Sequence, residues 1–298
     1  MTLISIIFSL LAERFFNAIN EYRQFDWFAR FVDWSRTKIS KESAFNGWLG
    51  VIAIVIAIPL VAAFIYHELH DWFYLFGFLF GVVVLLFSLG PQRFYHQIKD
   101  FCEVIQPGES ASEEAIANAE KLLGREVSEE EKTHLDQAVT EMMLVKSVNS
   151  LFGVIFWFSI LGPIAALTYR LILLLAERLA EPVESADDDE NPLLETSQQL
   201  AFYVQWIPVR LLALSYAVAG NFVEGMARFK NADDDAVERW PNQNERLLVS
   251  SGLGSLGLKS DDDAKQRCNA SAALDLIRRT IALWVGLIAL MTLTGWLA

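Results

Sequence analysis

The feature that most constrains this chain is the stretch Gly47 to Tyr66, GWLGVIAIVIAIPLVAAFIY, twenty residues without a charge. A run of that length matches the hydrocarbon thickness of a bilayer, and a soluble core rarely requires it. A second apolar run, Trp72 to Gly90, follows after only the five residues HELHD, His67 to Asp71. Two spans joined by so short a turn form a transmembrane hairpin over residues 47–90. The expected fold is therefore all-α, a polytopic helical membrane protein.

Three further apolar segments follow. Leu151 to Leu175 is interrupted only by Arg170, Leu200 to Val223 carries Gln205 and Arg210, and Thr280 to Ala298 is uncharged. The segment at 200–223 is the ambiguous one, and lysine and arginine placement decides it. Six basic residues precede the first span, from Arg14 to Lys41, and HELHD has none. Residues 91–150 carry six and residues 224–279 carry nine, whereas Ala176 to Gln199 has one arginine among many acids. The positive-inside bias places the N-terminus, the 91–150 segment and the 224–279 loop in the cytoplasm. Five crossings result, with 151–223 forming a third and fourth span around an acidic outside loop and 280–298 ending outside.

Residues 1–46 mix aromatics with charges. Phe15, Ile19 and Tyr22 share one helical face, and Trp27, Phe31 and Trp34 another, which suits either a helix lying in the headgroup layer or a buried helix of the bundle. The 91–150 segment reads as a small soluble helical insert. Ser110-Ala-Ser-Glu113 and Ser128-Glu-Glu-Glu131 have capping-box spacing, and Leu135, Val139 and Met142 form an apolar stripe.

Composition excludes several functions. The chain is 53% hydrophobic yet has a formal charge of −13, so the acidity is concentrated in the loops. Nucleic acid is not an expected partner, because its binding requires basic patches. Cys102 and Cys268 lie far apart and match no metal-ligand or disulfide-framework spacing. His67 and His70 are spaced i, i+3 rather than the i, i+4 of a helical zinc motif. Gly252 to Ser260, GLGSLGLKS, resembles a phosphate loop, but Leu258 separates Gly257 from Lys259, so a flexible glycine-serine loop is expected. The clusters Asp187–Glu190, Asp233–Asp235 and Asp261–Asp263 read as solvated loop segments. No metal and no cofactor is expected. Arg210 stands out, lying two residues after Pro208 within an apolar stretch. Proline frees a backbone carbonyl, and an arginine at membrane depth needs an anionic or carbonyl partner. Glu13, the acid closing the first apolar segment, is the expected partner, with snorkelling of Arg210 to the interface as the other reading.

Several of these segments carry a resemblance. ISIIFSLLAERFF, GVIFWFSILGPIAALTYRL at Gly153 to Leu171 and WIPVRLLALSYAVAG together resemble the AmpE/CobD-CbiB membrane family, as do Tyr95 and His96 after the second span. The likeness covers most of the chain apart from its acidic loops. The resemblance implies candidate ligand-binding residues at Arg210, Glu13, Asn149, Tyr95, His96 and Tyr169. The CobD/CbiB branch is implied to couple an aminopropanol unit to a corrinoid acid. Its pattern has Glu-Asn-x-x-Asp before the third span, where this chain reads Val148-Asn149-Ser150-Leu151-Phe152. Asn149 remains and both acids are missing, which removes the groups that Mg²⁺ binding or acid–base work would use. The pattern is thus closer to the AmpE branch. That branch implies an inner-membrane regulatory accessory of β-lactamase induction and cell-wall recycling, without catalysis, with the lipid bilayer and an AmpD-type amidase or a cell-wall fragment as partners. A membrane enzyme or binder of an anionic amphiphile is the alternative.

Overall fold

In the computed structural model of the chain, the described residues are 2–15, 25–38, 47–72, 74–89, 93–105, 112–128, 131–181, 192–234, 242–257 and 268–295. The helices, in chain order, are α1 (Thr2–Phe15), α2 (Asp26–Lys38), α3 (Trp48–Trp72), α4 (Tyr74–Ser88), α5 (Arg93–Val104), α6 (Glu113–Leu123) and α7 (Leu135–Ser147). A π-helical turn, Val148–Phe152, joins α7 to α8 (Gly153–Leu161). Then come α9 (Pro163–Ala180), α10 (Pro192–Ala219), α11 (Phe222–Asp234), α12 (Gln243–Ser255) and α13 (Asn269–Leu293). The protein is an all-α, polytopic membrane protein. Among the described residues, Trp48–Asp71, Leu135–Leu161, Pro192–Ala219 and Asn269–Leu293 are long and apolar enough to cross a bilayer, and Leu75–Ser88 is a shorter apolar helix. Of the segment that is ambiguous in sequence, residues 200–219 belong to a helix of 28 residues, which ends at Ala219.

The chain divides into two compact units. The first comprises residues 1–90, 149–207 and 288–298, and the second 91–148 and 208–287.

In the first unit, α9 packs against α2, α3, α4 and α8. Its Ala166, Leu171 and Leu175 are fully buried. HELHD is not the turn between two spans, because it completes the last turn of α3, which runs on to Trp72. There Tyr66 stacks on His70, and His67 meets Asp71 one turn later at 3.6 Å. The two side chains share one helical face at i, i+4 spacing. The helix α2 buries Phe28, Val32 and Ser35 and exposes Trp27 and Trp34. It is held to α9 by a forked pair in which Arg178 donates Nη2–H to Asp33 Oδ2 at 2.7 Å and Nε–H to Oδ1 at 3.0 Å. Those bonds hold the Asp33 carboxyl below its ordinary value. The helix thus packs one face on the bundle and leaves its tryptophans exposed on the other.

The apolar run 151–175 was expected as one span. It is two helices. Gly162 adopts φ +84°, where a side chain would be strained, and Pro163 opens the next helix at a position that needs no N–H. The helix α9 therefore folds back on α8. Upstream, α8 continues through the π-helical turn into α7, so the apolar stretch begins at Leu135, inside the segment expected to be a soluble insert.

In the second unit, α11 packs against α12, α12 against α7, and α6 against α5 and α7. The glycine-serine stretch expected as a flexible loop is helical from Gly252 to Ser255. It lies so close to its neighbours that a Cβ at Gly254 would sit 2.8 Å from the Glu224 carbonyl oxygen, and one at Gly252 would sit 2.6 Å from the Leu144 side chain. Small residues serve close helix approach here, as in membrane helix pairs. Ser251 donates to the Ala213 carbonyl at 2.9 Å, and Ser147 shares a 2.6 Å hydrogen bond with the buried Tyr216 hydroxyl. At the second expected capping box, Ser128 N–H donates to Glu131 Oε2 at 3.1 Å and Glu131 N–H to Ser128 Oγ at 3.3 Å. At the first, the cap is Ser112, which accepts from Ala115 N–H, while Ser110 lies outside the described residues. The two cysteines, unpaired by any sequence pattern, form a disulfide across 166 residues, with Cα atoms 5.7 Å apart. A spacing that long is invisible to motif reading, because only the helix packing brings the residues together. The clusters at 187–190 and 261–263 lie outside the described residues, as do the side chains of 233–235.

Candidate functional site

The first unit contains a polar cluster inside an apolar surround, assembled from three elements. The π-helical turn opens the regular backbone ladder, which is where helices expose carbonyls. Here the Asn149 carbonyl accepts from Arg170 Nη1–H at 3.4 Å. The Asn149 side-chain oxygen accepts from Gln205 Nε2–H of α10 at 2.6 Å. Gln205 also hydrogen-bonds the hydroxyl of Tyr169. Tyr169 is buried, and its ring occupies the space left by the missing side chain of Gly153, where a Cβ would lie 2.1 Å from the hydroxyl. The fold-back at Gly162 is what places the second helix's Tyr169 and Arg170 beside the start of the first.

Pro208 contributes indirectly. It has no N–H, so the carbonyl four residues earlier, Val204, loses its helical donor. Trp157 of α8 supplies the replacement, donating Nε1–H to Val204 O at 3.1 Å. This bond fixes α10 against α8 and holds Gln205 in register with Asn149. The freed carbonyl expected from the proline is thus present, and an indole takes it.

Arg170 is half-buried, and its Nε is fully buried with no hydrogen-bond partner. The acid whose field reaches it is Glu177, two turns along α9. The donors that converge on the cluster are a guanidinium, an amide and a phenol, and Val148 and Phe152 at its turn are buried hydrocarbon. Such a set complements an anionic oxygen and does not fit Mg²⁺. A hard cation needs carboxylate or carbonyl ligands. Here the guanidinium takes the Asn149 carbonyl, and Val148 and Phe152 offer hydrocarbon.

The structure brings together two of the six expected site residues, Asn149 and Tyr169. Glu13 lies on α1, and Tyr95 and His96 on α5; the side chains of all three are outside the described residues. Arg210 is half-buried on α10 in the second unit. Gln205, Arg170 and Trp157 are additional. Gln205 and Arg170 carry a readable signal, since each is a polar residue interrupting an apolar run. Trp157 carries none, because an indole in an apolar segment is ordinary.

The CobD/Cbib protein family matches residues 6–176, more than half of the chain. The chain belongs to this family. The cobalamin biosynthesis protein CobD of Stutzerimonas stutzeri is 19% identical over 242 residues, covering 74% of each chain. The protein of the same name from Chromobacterium violaceum is 22% identical over 144 residues, 48% of this chain and 44% of its own length. No solved structure matches. The family match includes Asn149, Gly153, Trp157, Tyr169 and Arg170. It ends before Gln205 and Arg210.

Proposed function

We propose that this chain binds an anionic amphiphile within the membrane, at the cluster of Asn149, Tyr169, Arg170 and Gln205, on a scaffold related to cobinamide-phosphate synthase. The observation that carries the reading is the buried Nε–H of Arg170, left without a partner beside the amide pair. A buried guanidinium donor without an acceptor is costly, and an ionisable group at membrane depth faces a ligand path by default. A carboxylate or phosphate oxygen would complete the set, while the apolar surface around the site would take the rest of the molecule. The relatives' names tie the scaffold to cobalamin biosynthesis, whose corrinoid acids are large and anionic.

The test uses purified protein in neutral detergent, with dodecyl phosphate and dodecyltrimethylammonium as probes. Dodecyl phosphate should raise the melting temperature and the cationic probe should not. Arg170→Gln should remove the response while Arg178→Gln, which changes the α2 pairing, should keep it. An equal response to both probes, or an unchanged response in Arg170→Gln, defeats the proposal.

A second reading has its own observation. Val148 and Phe152 replace both family acids and are buried, with 2% and no exposure. They favour an inner-membrane regulatory accessory of the AmpE type, which keeps the scaffold's binding site and lacks its chemistry. On that reading the gene fails to rescue a strain lacking the cobinamide-phosphate synthase, and its deletion alters β-lactamase induction. Rescue of the synthase strain would instead support catalysis.

A further inference from the structure

We infer that Cys102 and Cys268 form a reversible thiol–disulfide pair on the basic side of the membrane, a redox-controlled clasp exchanged by a cytoplasmic dithiol protein. The argument is independent of the amphiphile site. Cys102 lies on α5 and Cys268 immediately precedes α13, and their Cα separation of 5.7 Å sits within the range a disulfide spans without backbone movement. Both residues are half-buried, so an exchanging thiolate can reach them.

Their side of the membrane follows from contacts within the second unit. Asp136, at the start of α7, accepts from Asn269 N–H at 2.7 Å and from Ala270 N–H at 3.1 Å, and the Cys268 sulfur lies 3.4 Å from its Oδ1. Residues 102, 136 and 268 therefore share one side, and the chain between 136 and 268 crosses the bilayer an even number of times. Among the described residues, the shared side carries Arg93, Lys99, Lys121 and Arg125 from one segment and Arg228, Lys230 and Arg246 from the other. That concentration marks the cytoplasmic face. In that compartment glutathione and thioredoxin-type proteins keep thiols reduced, and a paired cysteine that closes a bond there is a transient, redox-sensing one.

The chemistry balances as thiol–disulfide exchange. A disulfide of the oxidised partner accepts one cysteine thiolate as a mixed disulfide and releases one partner thiol. The second cysteine then attacks the mixed disulfide, closes the Cys102–Cys268 bond and releases the other. Two protein thiols are oxidised, and one partner disulfide is reduced to two thiols. A reduced dithiol partner reverses the step. The bond ties the first turn of α13 to α5. When it opens, the Asp136 hydrogen bonds to Asn269 and Ala270 remain at the α13 N-terminus.

Because the chain has only two cysteines, counting is unambiguous. Cells expressing the full chain are quenched in acid and alkylated with polyethylene-glycol maleimide. Untreated cells should give two adducts per chain. Brief diamide treatment should give none, and the two should return when inverted membrane vesicles receive reduced thioredoxin. Hydrogen exchange at Asn269 and Ala270 should quicken at least fivefold on reduction, and Cys102→Ser should match the reduced wild type. The adduct counts need no variant, so a misfolded Cys102→Ser leaves them decisive. A bond already closed in untreated cells and resistant to thioredoxin means a structural disulfide in an oxidising compartment, and overturns the proposal. So do two adducts that persist under diamide.

Discussion

Gly153→Ala is the sharpest single test of how the site is built. An added Cβ would lie 2.1 Å from the Tyr169 hydroxyl oxygen, 2.3 Å from Cζ and 2.7 Å from Cε1. Carbon atoms in contact sit about 3.5–4.0 Å apart, so the ring would have to move by more than ~1 Å. Tyr169 is 2% exposed, on a helix packed against four others, and has nowhere to move without displacing them. Overpacking of this kind costs about 1–3 kcal/mol, and a clash with ring atoms rather than a flexible tip belongs at the upper end. Loss of the Tyr169–Gln205 hydrogen bond adds about 1 kcal/mol. Together these predict a loss of ~3–4 kcal/mol, more than two orders of magnitude in the folding equilibrium, read by denaturant titration of tryptophan fluorescence in detergent micelles.

Two partner substitutions locate the clash. Tyr169→Phe removes the nearest atom but leaves Cζ at 2.3 Å, so it should not rescue Gly153→Ala. Tyr169→Leu removes the far edge of the ring and should rescue, with a coupling of at least ~1 kcal/mol. If Gly153→Ala is neutral, or if its loss adds strictly to that of Tyr169→Leu, the ring does not occupy the glycine's space and the site geometry is wrong.

The remaining predictions concern the two ends of the fold's polar chemistry. Trp157→Phe should cost about 1 kcal/mol, because it strands the Val204 carbonyl. The cost should shrink in a Pro208→Ala background, where the restored N–H takes that carbonyl, and an equal loss in both backgrounds would separate Trp157 from Pro208. At the other end, bonds from Arg125 and from the Ser128 backbone and hydroxyl hold Glu131 down to about 2 from its ordinary 4.5. Since the folded value is the lower one, the stability this carboxylate contributes is complete above about pH 4.5 and is lost as pH falls towards 2. Carboxyl-carbon NMR should find Glu131 still ionised at pH 3, and a midpoint near its ordinary value would remove the Arg125 pairing.

The membrane class was legible because an uncharged run of twenty residues has no cheaper explanation, and helicity follows from it. The capping box at Ser128 and the freed carbonyl before Pro208 were legible for the same reason: each is local, involving residues within four positions. The one-span reading of 151–175 failed because hydropathy sums over a window and is blind to one residue with positive φ, Gly162. The glycine-serine stretch was misread in the opposite sense. Glycine and serine signal loops in water, yet between helices in contact they are the residues that let backbones approach. Nothing local identified Gln205 as a partner of Asn149, 56 residues away, or Cys268 as a partner of Cys102.

The losses at Val148 and Phe152 have a consequence larger than two missing acids. In the Glu-Asn-x-x-Asp pattern that the resemblance implies, carboxylates on both sides of Asn149 would give the Arg170 guanidinium anions supplied by the protein itself. Both positions are hydrocarbon here, and the nearest acid acting on Arg170 is Glu177, two turns away. Here the Arg170 guanidinium sits among amide and phenol groups, with the Asn149 carbonyl as its hydrogen-bond acceptor. The Nη1–H of Arg170 has the Asn149 carbonyl, while its Nε–H is the donor left without an acceptor among the described residues. On the proposed reading a ligand's anionic oxygen would take that donor. Such a ligand would stabilise the folded protein by its own binding free energy, so occupancy and stability should rise together.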